Sequence, residues 1–213
     1  MRIVAISDTH CQHRNIQLPE GDVLIHAGDA TNSGTLAQLK DFAEWFDALD
    51  YKHKIYVPGN HDRLFEKDPQ LAKSLFSSTH ILHDQELILE GIKFYGSSWQ
   101  PEFANWAFNL PRGQPLAEKW ALIPDDVEVL ITHGPPYGIL DLVSRNLPAP
   151  ISAGCEELAK RLPALKNLCT SIFGHLHENA GTDVQNGILF VNAAQLNDYH
   201  DIVFKPIVID VSR

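Results

Sequence analysis

Short apolar runs recur along the chain, and several of them break off into a histidine, an aspartate or both. Ile3 to Ile6, Val23 to Ile25, Ile55 to Val57, Val127 to Ile131, Ile188 to Val191 and Ile207 to Val211 have strand length and are rich in β-branched residues, the pattern of strands inside a sheet. Ser171-Ile172-Phe173 reads the same way. Between the second and third runs the spacing changes. Leu36, Leu39, Phe42, Ala43, Phe46 and Leu49 recur every three or four residues, which predicts an amphipathic helix with Thr35 as its N-cap. Strand, helix, strand implies parallel pairing. Leu87 to Leu89 and Ile92 to Phe94, joined by Glu90-Gly91, predict a two-residue hairpin, so the sheet is expected to be mixed.

Two shorter helices are predicted, one from Asp68-Pro69 through Phe76, because proline is tolerated in a first turn, and one from Glu156 to Leu162. Residues 99 to 124 hold Trp99, Pro101, Phe103, Trp106, Phe108, Pro111, Arg112, Gly113 and Pro115, and read as a long ordered loop. There is no repeat, low-complexity tract or linker. With 213 residues the chain is expected to be one domain, 1–213, large enough to bury a core without staples.

The polar residues at the run ends carry the chemistry. Asp8 and His10 follow the first run, His26-Ala27-Gly28-Asp29 the second, and Gly59-Asn60-His61-Asp62 the third. The run to Ile131 ends in Thr132-His133-Gly134-Pro135-Pro136, where the prolines stop the ladder, and Phe173 leads into Gly174-His175-Leu176-His177. The carboxyl edge of parallel strands is where open α/β sheets bind ligands, and a glycine before Asn60 is expected to let the chain turn sharply there. Asp8, His10, Asp29, Asn60, His61, His133, His175 and His177 together offer oxygen and nitrogen donors without sulfur, a set for two hard or borderline divalent metals. Cys11, Cys155 and Cys169 show no paired spacing, which predicts neither disulfides nor a thiolate site and suits a reducing, cytoplasmic setting.

A formal charge of −10 argues against long nucleic acid or an anionic membrane as partner. No apolar run approaches a membrane span, and with a strand beginning at Arg2 no signal peptide is expected.

These five blocks, in order, resemble the signature of the calcineurin-like metallophosphoesterases. The resemblance is closest to a branch with cyclic-nucleotide phosphodiesterase activity, through Trp99-Gln100-Pro101, Phe108-Asn109-Leu110-Pro111-Arg112-Gly113, Thr132-His133-Gly134-Pro135-Pro136 and Val191-Asn192-Ala193. It implies an α/β fold of four layers, two packed mixed sheets flanked by helices, with a dinuclear site at the strand ends. It further implies that Asp8, His10, Asp29 and His177 hold one metal and Asp29, Asn60, His133 and His175 the other, with Asp29 bridging. His61 would be no ligand but would protonate the leaving oxygen, a task suited to imidazole because it titrates near neutral pH. Mn²⁺ is the first expectation for the metals, with Fe or Zn²⁺ as alternatives.

One departure bears on substrate. Protein phosphatases of this superfamily carry Gly-Asp-x-x-Asp-Arg-Gly where this chain has Gly28-Asp29-Ala30-Thr31-Asn32-Ser33-Gly34, so the arginine that would clamp a dianionic monoester is missing. The expected function is therefore hydrolysis of cyclic nucleotides or similar small phosphodiesters through a metal-bridging hydroxide. The rivals are a small-molecule phosphomonoesterase or nuclease on the same site, and a catalytically weak nucleotide-binding regulator. Asn60 and His61 are expected to touch substrate. Arg112 and Asn192 are further substrate-binding candidates, each with bracing or capping as its alternative. Asp62 is either a partner of His61 or a cap for the turn that follows it, and Asn32 or Asp62 is expected to orient His61. Trp106 either packs its loop or stacks a nucleobase. His13, His26, His53, His80, His83 and His200 are left as surface or hydrogen-bonded core residues, and 197 to 201 as an exposed turn.

Overall fold

The computed structural model describes residues 1–144 and 147–211. β1 (Arg2–Ile6), β2 (Val23–His26), β3 (His53–Tyr56), β4 (His80–Ile81) and β15 (Ile207–Asp210) form one sheet, in the order β15-β1-β2-β3-β4. β5 (Gln85–Leu89), β6 (Ile92–Ser97), β9 (Val129–Thr132), β12 (Thr170–Phe173), β13 (Gly181–Gln185) and β14 (Ile188–Asn192) form the other, in the order β13-β14-β12-β9-β6-β5. Both are mixed. β1 to β4 are parallel with β15 antiparallel on their edge, and β6, β9, β12 and β14 are parallel between the antiparallel β5 and β13. Two short pairs complete the strands: β7 (Gln100–Pro101) with β8 (Asn109–Leu110), and β10 (Leu142–Val143) with β11 (Ile151–Ser152). The helices are α1 (Leu36–Ala48), α2 (Leu64–Lys67), α3 (Pro69–Ser74), α4 (Gln114–Trp120) and α5 (Glu156–Arg161).

Side chains on a strand alternate between faces, and here both faces are covered. Ile3, Ala5, Val23, Ile25 and Ile55 point from the first sheet toward Phe94, Val129, Ile131, Ile172 and Val191 of the second, forming the inner core. Their neighbours Val4, Ile6, Leu24 and Tyr56 face Leu39, Phe42 and Phe46 of α1. Tyr95, Leu130, Phe173 and Phe190 face Leu116 and Trp120 of α4 and Leu158 of α5. The result is four layers, helix, sheet, sheet, helix. Thr35 Oγ1 accepts the Gln38 amide at 3.3 Å and starts α1. Full burial of Leu39, Phe42 and Phe46 on this helix contributes about 1.5–3 kcal/mol each.

The hairpin at Glu90-Gly91 forms with φ of 50° and 82°, the mirror-image turn that matches strand twist. The segment 99 to 124 is not one loop: it contains β7, β8 and α4, because Pro115 opens a helix whose Leu116 and Trp120 find buried places under the second sheet. The Asp68–Pro69 helix begins where expected, with the Asp68 carboxylate accepting from Leu71 N at 3.0 Å, but stops at Ser74. β13 lies outside the strands expected from the sequence, although Asn186-Gly187, which joins it to β14 in a second turn with φ of 51° and 80°, is a hairpin signal.

Candidate metal centre

The carboxyl ends of β1, β2 and β3 open on the same edge of the molecule as those of β9 and β12. The loops after β1 and β2 continue side by side past the sheet: Asp8 N donates to Gly28 O (2.8 Å), His10 N to Asp29 O (3.0 Å) and Cys11 N to Ala30 O (2.9 Å). This side-by-side path forces an unusual backbone. Asp8, His10, Asp29 and His175 all have left-handed φ, of 53°, 41°, 56° and 68°, which costs on the order of 1 kcal/mol each in a non-glycine residue. Gly59 serves by its size rather than by its φ, which is not positive: a Cβ there would lie 2.3 Å from Asp29 Oδ1 and 2.7 Å from His133 Cε1.

All eight expected donors converge. Asp29 Oδ1 accepts the main-chain N–H of His61 at 2.7 Å, which turns Oδ2 toward three imidazoles: His133 Nε2 at 3.4 Å, His10 Nε2 at 3.9 Å and His61 Nε2 at 4.0 Å. The Asp8 carboxylate accepts the His175 main-chain N–H (2.9 Å) and faces His177 Nε2 at 3.4 Å. Asn60 Oδ1 meets His133 Nε2 at 2.8 Å. Donor atoms of Asp8, His10 and His177, and likewise of Asp29, His133 and His175, lie within 4.8 Å of one another.

Main-chain carbonyls fix which ring nitrogen points inward. A carbonyl oxygen only accepts, so Nδ1 carries the proton in His133 (to Ala27 O, 2.9 Å), His177 (to Asn197 O, 3.2 Å) and His61 (to Asn32 O, 2.6 Å). In each, Nε2 faces the carboxylates. In His133 and His177 that is the arrangement of metal-binding imidazoles, whose outer N–H is held by a carbonyl, and in His61 the same device only fixes the ring. The electrostatics agree. Burial alone would lower His133 and His177, yet Asp29 and Asp8 lift them to about 9, while burial pushes His10 down to about 4 and, with His133 beside it, His175 to about 3. Burial would likewise raise Asp8 and Asp29, but His177 and His133 hold both below the carboxylate range. Two carboxylates in a buried pocket thus demand positive charge, and His10 Nδ1 is buried with no hydrogen-bond partner among the described residues. A nitrogen and oxygen donor set of this kind fits divalent cations.

His61 is held by more than Asn32. Its ring lies against the Trp106 indole, centroids 3.8 Å apart, and Arg63 covers the indole at 4.5 Å while donating to Asn105 O at 2.7 Å. With a neighbour on either side, Trp106 is a support for His61 rather than an open stacking surface. Asn32 orients His61, as one of the two expected candidates, but through its main chain. Asp62 instead accepts from Asp29 N (2.8 Å), Gly59 N (2.8 Å), Thr31 N (3.1 Å) and Thr31 Oγ1 (2.9 Å), tying the second and third loops together. Burial, with Asp29 nearby, raises its carboxyl. His26 does similar work: Nδ1 accepts from Gly28 N (3.2 Å), so Nε2 donates to Thr9 Oγ1 (2.9 Å). Arg112 donates to Gly154 O and Ala153 O at 2.8 Å each and pairs with Glu156, bracing β11. Asn192 is buried, donating to Leu176 O (2.8 Å) and accepting from Ala194 N (3.2 Å), so it braces the loop that carries His175 and His177.

The convergent donors open into a cavity of about 200 Å³, lined also by Phe103, Trp106, Asp198 and His200. Asp198 and His200 escape sequence reading, because the segment looks like a plain turn. Only the tertiary structure brings them in, by the pairing of Ser7 with Ala194 and the bond from Gln12 Nε2 to His200 O (2.8 Å), which set the His200 ring 4.8 Å from that of His10.

Residues 1–179 match the family of calcineurin-like phosphoesterases. The human metallophosphoesterase domain-containing protein 1 is 40% identical, over 99% of this chain and 71% of its own length. A protein of Arcobacter nitrofigilis named a probable glycerophosphodiester phosphodiesterase, GpdQ, is 26% identical over 91% of this chain and 78% of its own. Among solved structures, TT1561 of Thermus thermophilus shares the fold with a TM-score of 0.60 at 14% identity, covering 90% of this chain and 88% of that one.

Proposed function

The chain belongs to the calcineurin-like phosphoesterase family, and from that premise we propose that it is a dinuclear metal-dependent phosphodiesterase for small diesters, cyclic nucleotides among them. Asp8, His10, Asp29 and His177 would hold one cation and Asp29, Asn60, His133 and His175 the other, with Mn²⁺ first among candidates. When bound, such a pair neutralises phosphoryl charge and activates water near neutral pH. The chain's own residues supply the rest. Asn60 lines the cavity at the edge of the donor cluster, where a phosphoryl oxygen would rest. His61 presents Nε2 to the cavity with Nδ1–H fixed on Asn32 O, so a proton on Nε2 passes to the oxygen of the departing alcohol. Phe103 and Trp106 are the apolar members of the lining.

The observation that favours a diester is the charge of the lining. Among the described residues of the cavity there is no lysine or arginine, and Arg63 is pinned behind Trp106 on Asn105 O. A dianionic monoester would find no guanidinium clamp, whereas a monoanionic diester needs none. The similarity to a relative named as a glycerophosphodiester phosphodiesterase points the same way. The test is turnover by metal-stripped protein reloaded with Mn²⁺, against 2′,3′- and 3′,5′-cyclic nucleotides, bis-nitrophenyl phosphate and nitrophenyl phosphate. Metal-restored diester hydrolysis that outpaces the monoester is the expected result, and a monoester preference would overturn the diester reading.

A further inference from the structure

A groove of about 590 Å³ runs out from the metal centre, sharing Phe103, His175, His177 and Asp198 with the smaller cavity. Its walls are largely apolar and exposed: Phe103 is 63% accessible, Leu142 51% and Ile151 54%, and Pro101, Pro135 and Leu176 also line it, with Arg112, Glu102 and Glu178 as charged members of the lining. Large apolar side chains gathered around one depression are unfavourable in water unless something covers them.

The groove is a built feature. Leu142 and Ile151 lie on the β10–β11 hairpin, in which Val143 pairs with Ile151. That hairpin is tied to the turn directly after His177: Asn179 exchanges hydrogen bonds with Leu142 N and O, and Ser144 N donates to Glu178 Oε2 at 3.0 Å. Its base is fixed by the buried Asp141 carboxylate, which accepts from Gly138 N (2.9 Å) and Gly154 N (3.0 Å), and by Arg112 on the Ala153 and Gly154 carbonyls. The wall is therefore anchored to the segment that carries two of the candidate metal ligands. A phosphoryl group at the centre would send one ester substituent along it.

We propose that this groove is the subsite for one ester group of the substrate, and that it selects a flat, largely apolar ring over a small or hydroxylated alcohol. The assignment rests on the phosphoesterase reading and names the substrate half that reading leaves open. Two sources carry such a ring, a nucleobase and an aryl alcohol. Burying a ring against Phe103, Leu142 and Ile151 is expected to tighten binding about tenfold relative to a methyl ester.

The test uses monoanionic esters with one variable group: methyl, phenyl and adenosine 5′-esters of methylphosphonic acid. Each is titrated calorimetrically into Mn²⁺-loaded protein and assayed as a competitive inhibitor of bis-nitrophenyl phosphate hydrolysis. The phenyl ester should bind about tenfold more tightly than the methyl ester, and in the Leu142→Ser/Ile151→Ser variant, with metal content unchanged, that preference should shrink to about twofold or less. A comparable gain for the adenosine ester supports the groove with a nucleobase as its occupant, and a gain confined to phenyl supports it with an aryl alcohol. Equal binding of methyl and phenyl esters to the wild-type protein overturns the proposal, as does a preference that survives in the variant. Failure of every ester to bind, with no diester turnover, overturns the phosphoesterase reading and the groove with it.

Discussion

The two sheets bring different chemistry to their common edge. Loops from the first sheet supply Asp8, His10, Asp29, Asn60 and His61, which include both carboxylates, whereas loops from the second supply only imidazoles, His133, His175 and His177. The first half is self-repelling, since the Asp29 charge disfavours ionisation of Asp8, and the second half has no negative charge to hold a cation alone. A centre exists only where the shared apolar core presses the two sheets together. Stability of the core and affinity for metal are thus linked through geometry.

The comparison can be broken most severely at the one residue both halves address. Asp29→Asn removes the carboxylate facing His10, His61 and His133; metal bound per chain, read by elemental analysis, should fall, and diester turnover should drop on the order of 10³-fold or more. Retention of both metals with near-normal turnover would show that Asp29 bridges nothing. His61→Ala separates proton transfer from metal binding. Both metals should stay, and turnover on an alkyl ester should fall about 10²- to 10⁴-fold, with a smaller loss on a nitrophenyl ester; equal losses would remove its role as acid.

Gly174→Ala attacks the seam itself, because a Cβ at that position would lie 2.0 Å from Asp8 Oδ2 and 2.2 Å from Ser7 Oγ. Forcing the His175 loop away from Asp8 should weaken metal retention against a chelator by about 10- to 100-fold. Unchanged retention would mean that the sheets tolerate separation. The smallest effect is expected from Trp106→Ala, which frees one side of the His61 ring. Turnover on an alkyl ester should fall about tenfold with metal content and KM little changed, and Trp106→Phe should recover most of it. A loss confined to KM would instead make the indole a substrate contact.

Much of the centre could be read from the residues because each donor stands directly after a strand, and a strand's carboxyl end has a fixed meaning in a parallel sheet. The supports were less legible. In sequence Asp62 reads equally as a partner of His61 or as a turn cap, and it bonds Asp29 N and Gly59 N, while Asn32 acts through a carbonyl that every residue possesses. Trp106 reads as either packing its loop or stacking a nucleobase until Arg63 and His61 are seen against its ring.

Most of the strands, α1 with its cap, the parallel pairing of β2 with β3 and the placing of candidate donors at strand ends were legible in the sequence, because these follow from local periodicity. It took the tertiary structure to bring His200 and Asp198 to the cavity and to set the β10–β11 hairpin as the wall of a groove beside His177. Each of these depends on segments far apart in the chain, whose contacts leave no pattern in either segment alone.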